Sequence, residues 1–329
     1  MMGSQSTSCA VCLATLLACA VPPSFAESYP TRPLRFMVGQ APGGQNDIMA
    51  RLLGQKLAEA LGQPVVIDNR PGAAGQLAFE IAAKAQSDGH TLVMGSISTL
   101  AVFPSMPAKP SYDVFRDFAP VTQISTSPYL VVVHPSLPVK SLAELVVIAR
   151  ERQGKLNYAS SGPATGVHLT TELFKMIAGI DMTHIPYKGG APATNDLIGG
   201  QVSVMFNNMS SAVPHVKTGR LRAIALTSPS RHAALPEVPT VAESGYPGFE
   251  SGSWNGVVVR AGTPRPIVAR LNQETIRAVR AADVRAAIEN LGNTLVAGSP
   301  EAFANYIKSE MAKWAKVIRV VGLKADQVQ

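Results

Sequence analysis

The order of apolar and polar positions between residues 34 and 57 predicts a strand, a tight loop and a helix. The apolar run Leu34–Val38 indicates a buried strand, although Arg35 interrupts it. Pro42-Gly43-Gly44 then predicts a turn, and Asn46 and Asp47 are residues that commonly begin a helix. Apolar residues follow at helical spacing: Ile48, Met49, Leu52, Leu53 and Leu57. The first backbone N–H groups of such a helix have no partner within it, so this corner either holds an anion or is an ordinary structural turn.

The same succession of strand, small-residue loop and helix recurs along the chain. The strand 91–94 leads into the hydroxyl-bearing loop 95–99, and the segment 155–159 leads into the loop 160–166. Further strands are predicted at 65–67, 121–134, 201–206, 221–227 and 253–259, with a polar loop at 207–211. Helices are predicted at 76–86, 141–153, 267–282 and 284–290, and a last one begins at Ser299. The pattern predicts an α/β protein with a mostly parallel sheet in each half, in which ligands bind where strands end.

The first 26 residues differ from the rest of the chain. The apolar run 10–21 is followed by two prolines and by Ser24-Phe25-Ala26, which predicts a signal peptide cleaved after Ala26. About twelve apolar residues are too few to span a bilayer. The three cysteines, Cys9, Cys12 and Cys19, all lie in this segment, so the mature chain would have none. A lipoprotein cleavage before Cys19 is the second interpretation. Both interpretations predict that the protein is exported.

Composition and missing motifs exclude several classes of function. The 329 residues are 46% hydrophobic and 16% charged, as in a well-packed globular protein. The net charge of +7 is scattered and aromatic residues are only 6%, so we expect no nucleic-acid partner. The chain lacks the G-x-S-x-G, H-E-x-x-H, G-x-x-x-x-G-K-[ST] and G-x-G-x-x-G motifs. We therefore expect neither a metal nor a cofactor, and no enzyme of the familiar hydrolase or nucleotide-dependent kinds.

Nine segments, in order along the chain, together resemble the Bug (TctC-like) solute receptors of tripartite tricarboxylate transporters. They are YPTRP at 29–33, PGG at 42–44 with Asp47, VVIDNRPGAAG at 65–75, DGHTL at 88–92, YASSGPATGVH at 158–168, HIPYKG at 184–189, PHVKTG at 214–219, VPTVAESG at 238–245 and AGTP at 261–264. The resemblance runs from residue 29 to the last helix, which is essentially the whole mature chain.

This resemblance implies a monomeric, two-lobed fold of the type II periplasmic-binding-protein kind, with helices on both faces of each sheet and a two-strand hinge. It implies one lobe formed by residues 27–128 and 254–329 and another by 129–253, with the ligand in the cleft between them. The partner would be a set of membrane transporter subunits or, alternatively, a sensor kinase. By position, the resemblance implies these ligand-binding residues: Gln40, Pro42, Gly43, Gly44, Asn46, Asp47, Ser96, Ser98, Ser160, Ser161, Thr165, His168, Ala191 and Asn207.

The chain departs from the family pattern at three positions near the expected cleft. Ala164 stands where the family commonly has Gly, Asn207 where it commonly has Asp, and Asn255 where it commonly has an aromatic residue. An amide cannot provide the counter-charge that a ligand amine needs. We therefore expect a small mono- or dicarboxylate without an amine.

Individual residues have alternative roles at this stage. Asp47 either caps its helix or contacts the ligand through water, and Trp254 either packs at the hinge or forms a ligand platform. His168 either packs at the start of a helix or contacts the ligand. An esterase-like use of His168 with Ser160 or Ser161 is the remaining hypothesis, but no orienting acid is evident.

Overall fold

The computed structural model describes residues 29–40, 42–43, 45–107, 109–187 and 189–322. The strands are β1 (Leu34–Val38), β2 (Val65–Asn69), β3 (Thr91–Ser96), β4 (Phe118–Val133), β5 (Asn157–Ser160), β6 (Thr183–Pro186), β7 (Val204–Asn208), β8 (Arg222–Leu226), β9 (Gly252–Arg260) and β10 (Thr294–Leu295). The helices are α1 (Gln45–Leu61), α2 (Gln76–Ala82), α3 (Val114–Asp117), α4 (Leu142–Glu151), α5 (Gly166–Ala178), α6 (Gly190–Ile198), α7 (Met209–Lys217), α8 (Arg265–Arg280), α9 (Ala282–Asn290) and α10 (Pro300–Val321). A π-helical turn at Ser98–Val102 lies between two short 3₁₀ turns, Ala73–Gly75 and Phe103–Ser105.

The first sheet has the strand order β2-β1-β3-β9-β4, with β10 paired to β4. β1 runs parallel to β2 and β3, whereas β9 runs antiparallel to both of its neighbours. Successive side chains of a strand point to opposite faces, and here both faces are buried. Leu34, Phe36 and Val38 join one apolar cluster with Leu53 of α1, while Met37 joins the other cluster. This two-sided burial explains the nearly continuous apolar run of β1.

The second sheet consists of the last part of β4 with β7, β5, β6 and β8. β5 is parallel to β6 and β7, and β4 is antiparallel to β7 and β8. Helices α4 and α5 begin at side-chain caps, since Ser141 accepts a bond from the backbone of Glu144 and Thr165 accepts one from His168. The loops that end β5, β6 and β7 thus come to one edge of this sheet.

The two sheets share β4, a strand of 16 residues. Its residues Phe118–Pro128 pair with β9, and from Tyr129 onward it pairs with β7 and β8. β9 starts at Gly252, opposite Pro128, so two adjacent strands connect the sheets. The protein therefore has the two-lobed α/β fold with a two-strand hinge that the resemblance implied.

Two predicted loops are wrong in detail. The predicted polar loop 207–211 is the end of a strand and the start of a helix, because β7 continues through Asn208 and α7 begins at Met209. The predicted loop 95–99 is likewise ordered, since β3 extends through Ser96 and the π-helical turn follows. Short polar residues favour loops on average, but pairing with β4 decides the matter for β7.

The predicted signal peptide, residues 1–26, lies outside the described residues. Within the ranges that the structure describes, none of the helices has the length and apolar character required to cross a membrane.

Candidate ligand-binding cleft

A cavity of about 330 Å³ lies between the two sheets at the hinge. The first sheet contributes the ends of β1 and β3, and the second contributes the loops after β5 and β6 and the end of β7. β4 and β9 close the hinge side. The lining residues are Gly39, Gln40, Gln45, Asn46, Ala74, Gly75, Met94, Ser96, Ile97, Ser98, Thr99, Tyr129, Ser161, Thr165, Gly166, Val167, Gly189, Gly190, Asn208, Ser253, Trp254 and Asn255. Among these described residues none carries a charged side chain.

Three helices begin at the wall of this cavity. α1 begins at Gln45, α5 at Gly166 and α6 at Gly190, and each of these first residues lines the cavity. The first N–H groups of a helix lack intrahelical acceptors, and the helix dipole gives this end a partial positive charge. Three helix N-termini around one cavity can therefore bind an anion even though no charged side chain is present among the described lining residues.

Asp47 braces the loop between β1 and α1 from behind. Its carboxylate accepts bonds from the backbone N–H of Gly43 at 2.8 Å, from Arg51 Nε at 2.9 Å and from Asn69 Nδ2 at 2.9 Å. Burial alone would raise the pKa of Asp47, but these bonds, with that from Arg51 the largest, outweigh burial and hold the pKa below its usual value. Asp47 is buried and does not line the cavity, so its contacts are those of a structural brace.

The side chains that do reach the cavity from this loop are amides. Gln40 Oε1 accepts a bond from the backbone N–H of Asn46 at 3.1 Å, and Gln45 Nε2 donates to Asn293 Oδ1 at 2.8 Å. These bonds orient the two amides, each of which carries further donors and acceptors.

The loop after β5 is tightly bonded to itself. Thr165 Oγ1 donates to the carbonyl of Gly162 at 2.7 Å, and Ser160 Oγ accepts from the N–H of Gly162 at 3.1 Å. Ala164, the residue that replaces the usual Gly, adopts φ +56° with its side chain fully buried. This left-handed conformation costs an L-residue about 1–2 kcal/mol relative to its usual conformations. The backbone at Ala164 is therefore strained in a way that a glycine at this position would not be.

Two histidines and a tyrosine stack behind this loop. The rings of His168 and His184 are 4.0 Å apart and nearly parallel, and Tyr158 continues the stack at 4.9 Å from His184. His168 Nδ1 accepts a bond from the N–H of Ala164 at 3.1 Å, and His184 Nε2 lies 2.6 Å from Ser160 Oγ. Burial lowers the pKa of His168 to about 3 and that of His184 to about 4. Ser160 and His168 therefore support the loop and do not face the cavity.

The first turn of α5 passes very close to the hinge. A Cβ atom on Gly166 would lie 2.1 Å from the hydroxyl oxygen of Tyr129 and 3.4 Å from Ile97 Cγ2. A side chain at this position would overlap the Tyr129 hydroxyl, and Gly166 and Val167 both line the cavity.

The register of β7 determines which of its two asparagines faces the cavity. Asn207 is fully buried, donates from Nδ2 to Thr194 Oγ1 at 2.9 Å and accepts the backbone N–H of Asn208 at 2.8 Å. Asn208, one residue further and on the opposite face, lines the cavity. Both asparagines are uncharged, so this wall offers no carboxylate to a ligand amine.

The predicted ligand-binding residues divide into two groups. The cavity is lined by Gln40, Asn46, Ser96, Ser98, Ser161 and Thr165. The described residues that lie away from its wall are Pro42, Gly43, Asp47, Ser160, His168, Ala191 and Asn207. Gly44 lies outside the described residues.

Several lining residues were missed although the sequence held a signal for some of them. The segment 185–191 was predicted to repeat the pattern of strand, glycine loop and helix, but only Ala191 was taken from it as a ligand-binding residue, whereas Gly189 and Gly190 at the start of α6 line the cavity. Strand periodicity extended through Asn208 would have placed it opposite to Asn207. Tyr129 was identified only as a hinge position, whereas a place in the ligand site was one of the two alternatives for Trp254; both residues line the cavity. Among the described residues, no group of His, Cys, Asp or Glu has the arrangement of a metal site.

The two-lobed α/β fold with a polar cavity at its hinge is shared with solved structures of periplasmic binding proteins. The chain belongs to the family described as "Tripartite tricarboxylate transporter family receptor" (TctC), whose sequence profile matches residues 49–323. The resemblance drawn from the nine sequence segments is thereby confirmed.

Three relatives illustrate the match. Protein BugT of Bordetella pertussis is 38% identical over 307 residues, which cover 92% of this chain and 93% of BugT. The structure of R. palustris Rpa4515 with adipate is similar with 36% identity and a TM-score of 0.81, covering 89% of this chain and 98% of the other. MatC (Rpa3494) from Rhodopseudomonas palustris with bound malate has 33% identity and a TM-score of 0.78, covering 88% of this chain and all of the other.

Proposed function

We propose that the protein is a periplasmic receptor that binds a small mono- or dicarboxylate without an amine and performs no chemistry on it. The observation that carries the proposal is the cavity wall, where three helix N-termini and neutral amides and hydroxyls meet and the described residues include no acidic side chain. Adipate and malate, the ligands of two relatives, are carboxylates of this kind.

The absence of acidic groups from the described wall predicts selectivity against amino acids. A bound ammonium group would be desolvated beside helix N-termini, whose partial charge repels it, with only neutral acceptors such as Asn208 available. Malate and aspartate test this directly because they differ only in a hydroxyl group against an ammonium group.

The experiment is a calorimetric titration of the purified mature protein with malate, adipate, succinate and aspartate. We expect heat of binding and a raised melting temperature for at least one of the amine-free dicarboxylates and none for aspartate. Binding of aspartate as tight as that of malate would refute the selectivity, and failure of every carboxylate would refute the receptor function. The variant Asn208→Asp supplies a counter-charge, and we expect it to weaken dicarboxylate binding.

Ligand binding would close the two lobes, which we assign to residues 27–128 with 254–329 and to residues 129–253. Contacts to both sides of the cavity form only in the closed state, so the ligand shifts the hinge equilibrium toward closure. Small-angle scattering with and without the bound dicarboxylate should show a smaller radius of gyration in its presence.

The monomeric receptor would deliver its ligand to membrane subunits of a tripartite tricarboxylate transporter, as the family description suggests. Pull-down of membrane proteins with the liganded and ligand-free receptor tests this, and recovery of a sensor kinase would favour the alternative partner. Export to the periplasm after cleavage at Ala26 is tested by N-terminal sequencing of the protein from a periplasmic extract.

A further inference from the structure

Glu310 is a buried carboxylate on α10 that binds both tryptophans of the chain. Its Oε2 atom accepts the indole N–H of Trp254 at 2.9 Å and that of Trp314 at 3.0 Å. Its other oxygen, Oε1, pairs with the ammonium group of Lys313. Only 5% of Glu310 is exposed, so these three donors replace the water that the charge has lost.

Trp254 is the one of the two tryptophans that lines the cavity. It lies on β9 between Ser253 and Asn255, and all three residues line the cavity wall. Trp314 is fully buried in the core behind it and is not part of that wall. The single oxygen of Glu310 therefore joins a cavity residue to a core residue.

The orientation of the Trp254 ring depends on α10. The ring stands perpendicular to that of Phe303 at 5.9 Å and meets Tyr306 edge-on at 5.4 Å. Aromatic contacts of this kind tolerate sliding, whereas a hydrogen bond from a buried N–H to a charged oxygen is directional and is stronger than a neutral bond. The bond to Glu310 therefore restricts the orientation of the indole more than the ring contacts do.

We propose that Glu310 is a positioning residue for ligand binding. Its carboxylate holds the indole of Trp254 as the hinge-side wall of the cavity, and the shared oxygen transmits any movement of that wall to Trp314 on α10. This inference rests on the proposed function, because it requires a ligand in the cavity. A purely structural Glu310 would stabilise the fold without linking ligand occupancy to Trp314.

The two indole N–H signals in a ¹H–¹⁵N spectrum of the mature protein are a direct readout, because the chain contains two tryptophans. The probe is malate, with adipate and succinate as further dicarboxylates, and Trp314→Phe assigns the signals. We expect the bound dicarboxylate to shift both indole signals in the wild type. In Glu310→Gln, we expect at least tenfold weaker binding and a Trp314 signal that no longer responds to the ligand.

Glu301→Gln is the matched control, since Glu301 is an exposed glutamate in the first turn of the same helix. It should bind as the wild type does. Should Glu310→Gln fail to fold by circular dichroism, Trp254→Phe removes one N–H and leaves the contacts of Glu310 with Trp314 and Lys313 in place. That variant should also bind at least tenfold more weakly.

The outcomes separate the two proposals. A wild type that binds none of the dicarboxylates refutes the proposed function as a dicarboxylate receptor and this role of Glu310 with it. A wild type that binds, together with unchanged affinity in the folded Glu310 or Trp254 variant, refutes the role of Glu310 alone. A Trp314 signal that stays fixed while that of Trp254 moves refutes the transmission.

Discussion

Lowering the pH from 7 to 5 should destabilise the folded protein through the stacked pair His168 and His184. Both rings are neutral in the folded state because burial lowers their pKa values to about 3 and about 4. Lys175 lowers both pKa values further, while Glu172 raises that of His184 without overcoming burial. In the unfolded chain each histidine regains a pKa near 6.5.

The sign follows from where the protons bind. Between about pH 6.5 and the folded pKa values, the unfolded chain binds protons that the folded protein refuses, so acid favours unfolding. At pH 5 the linkage amounts to about 2 kcal/mol for His168. His184 is less deeply buried and solvent screens part of its effect, so we assign it about 1 kcal/mol. The pair should therefore lower the free energy of unfolding by about 3 kcal/mol between pH 7 and pH 5.

The assay is urea denaturation at both pH values for the wild type and for the double variant His168→Asn/His184→Gln. Asn places an acceptor near the former Nδ1 and Gln keeps a polar group near the former Nε2, so the contacts with Ala164 and Ser160 can persist without a titrating ring. The double variant should lose about 3 kcal/mol less than the wild type on acidification. His215→Gln on α7, outside the stack, is the control. It should lose as much unfolding free energy between pH 7 and pH 5 as the wild type does.

Equal losses of unfolding free energy in the wild type and the double variant would refute this reasoning. The carboxylates are the same in both proteins, so their contribution to the pH dependence cancels when the two losses of unfolding free energy are subtracted. If the pH dependence of the unfolding free energy also disappeared in His215→Gln, the stacked pair His168 and His184 would not be its cause.

Five further substitutions test the geometry of the cleft. Asp47→Asn should cost about 2 kcal/mol of unfolding free energy in urea denaturation and weaken dicarboxylate binding, because the loop loses a charged acceptor; unchanged values would contradict the bracing role. Gly166→Ala should weaken dicarboxylate binding and cost about 1–3 kcal/mol through overlap with the Tyr129 hydroxyl, and Tyr129→Phe added to it should restore part of the stability. Asn208→Ala should weaken binding in calorimetry with the melting temperature unchanged. Asn207→Ala should lower the melting temperature, because the buried bond to Thr194 Oγ1 and the acceptor for the backbone N–H of Asn208 are both lost. The reverse result would contradict the register of β7.

The hydrophobic pattern predicted most of the helices and strands because its signals are local, whereas the two-lobed arrangement was predicted from the family resemblance. The run Leu34–Val38 is apolar on both faces and is a buried strand, and Ser299 followed by Pro300 begins the last helix where its capping chemistry predicts. The two helix starts at Gln45 and Gly166 were visible for the same reason. Each depends on residues that are neighbours in the sequence.

The parts of the cleft that escaped prediction depend on contacts between distant residues. His184 stands 24 residues from Ser160, and Glu310 stands 56 residues from Trp254, so no periodicity connects either pair. Asn207 was mispredicted for a different reason. Neighbouring residues of a strand point to opposite faces, so an error of one residue in the register selects Asn207 in place of Asn208.

The position of β9 determines the order in which the protein can fold. β9 lies between β3 and β4, where Gly256 is paired with Gly95 on one side and with Gln123 on the other. All strands of the second sheet, in contrast, lie between residues 129 and 226. A chain that emerges from its N-terminus can therefore complete the second sheet while β3 and the first part of β4 still wait for a partner more than a hundred residues away. We therefore expect the first sheet, whose strands β1 to β3 are synthesised first, to be completed last. Until β9 is in place, the unpaired edges of β3 and β4 are exposed to aggregation.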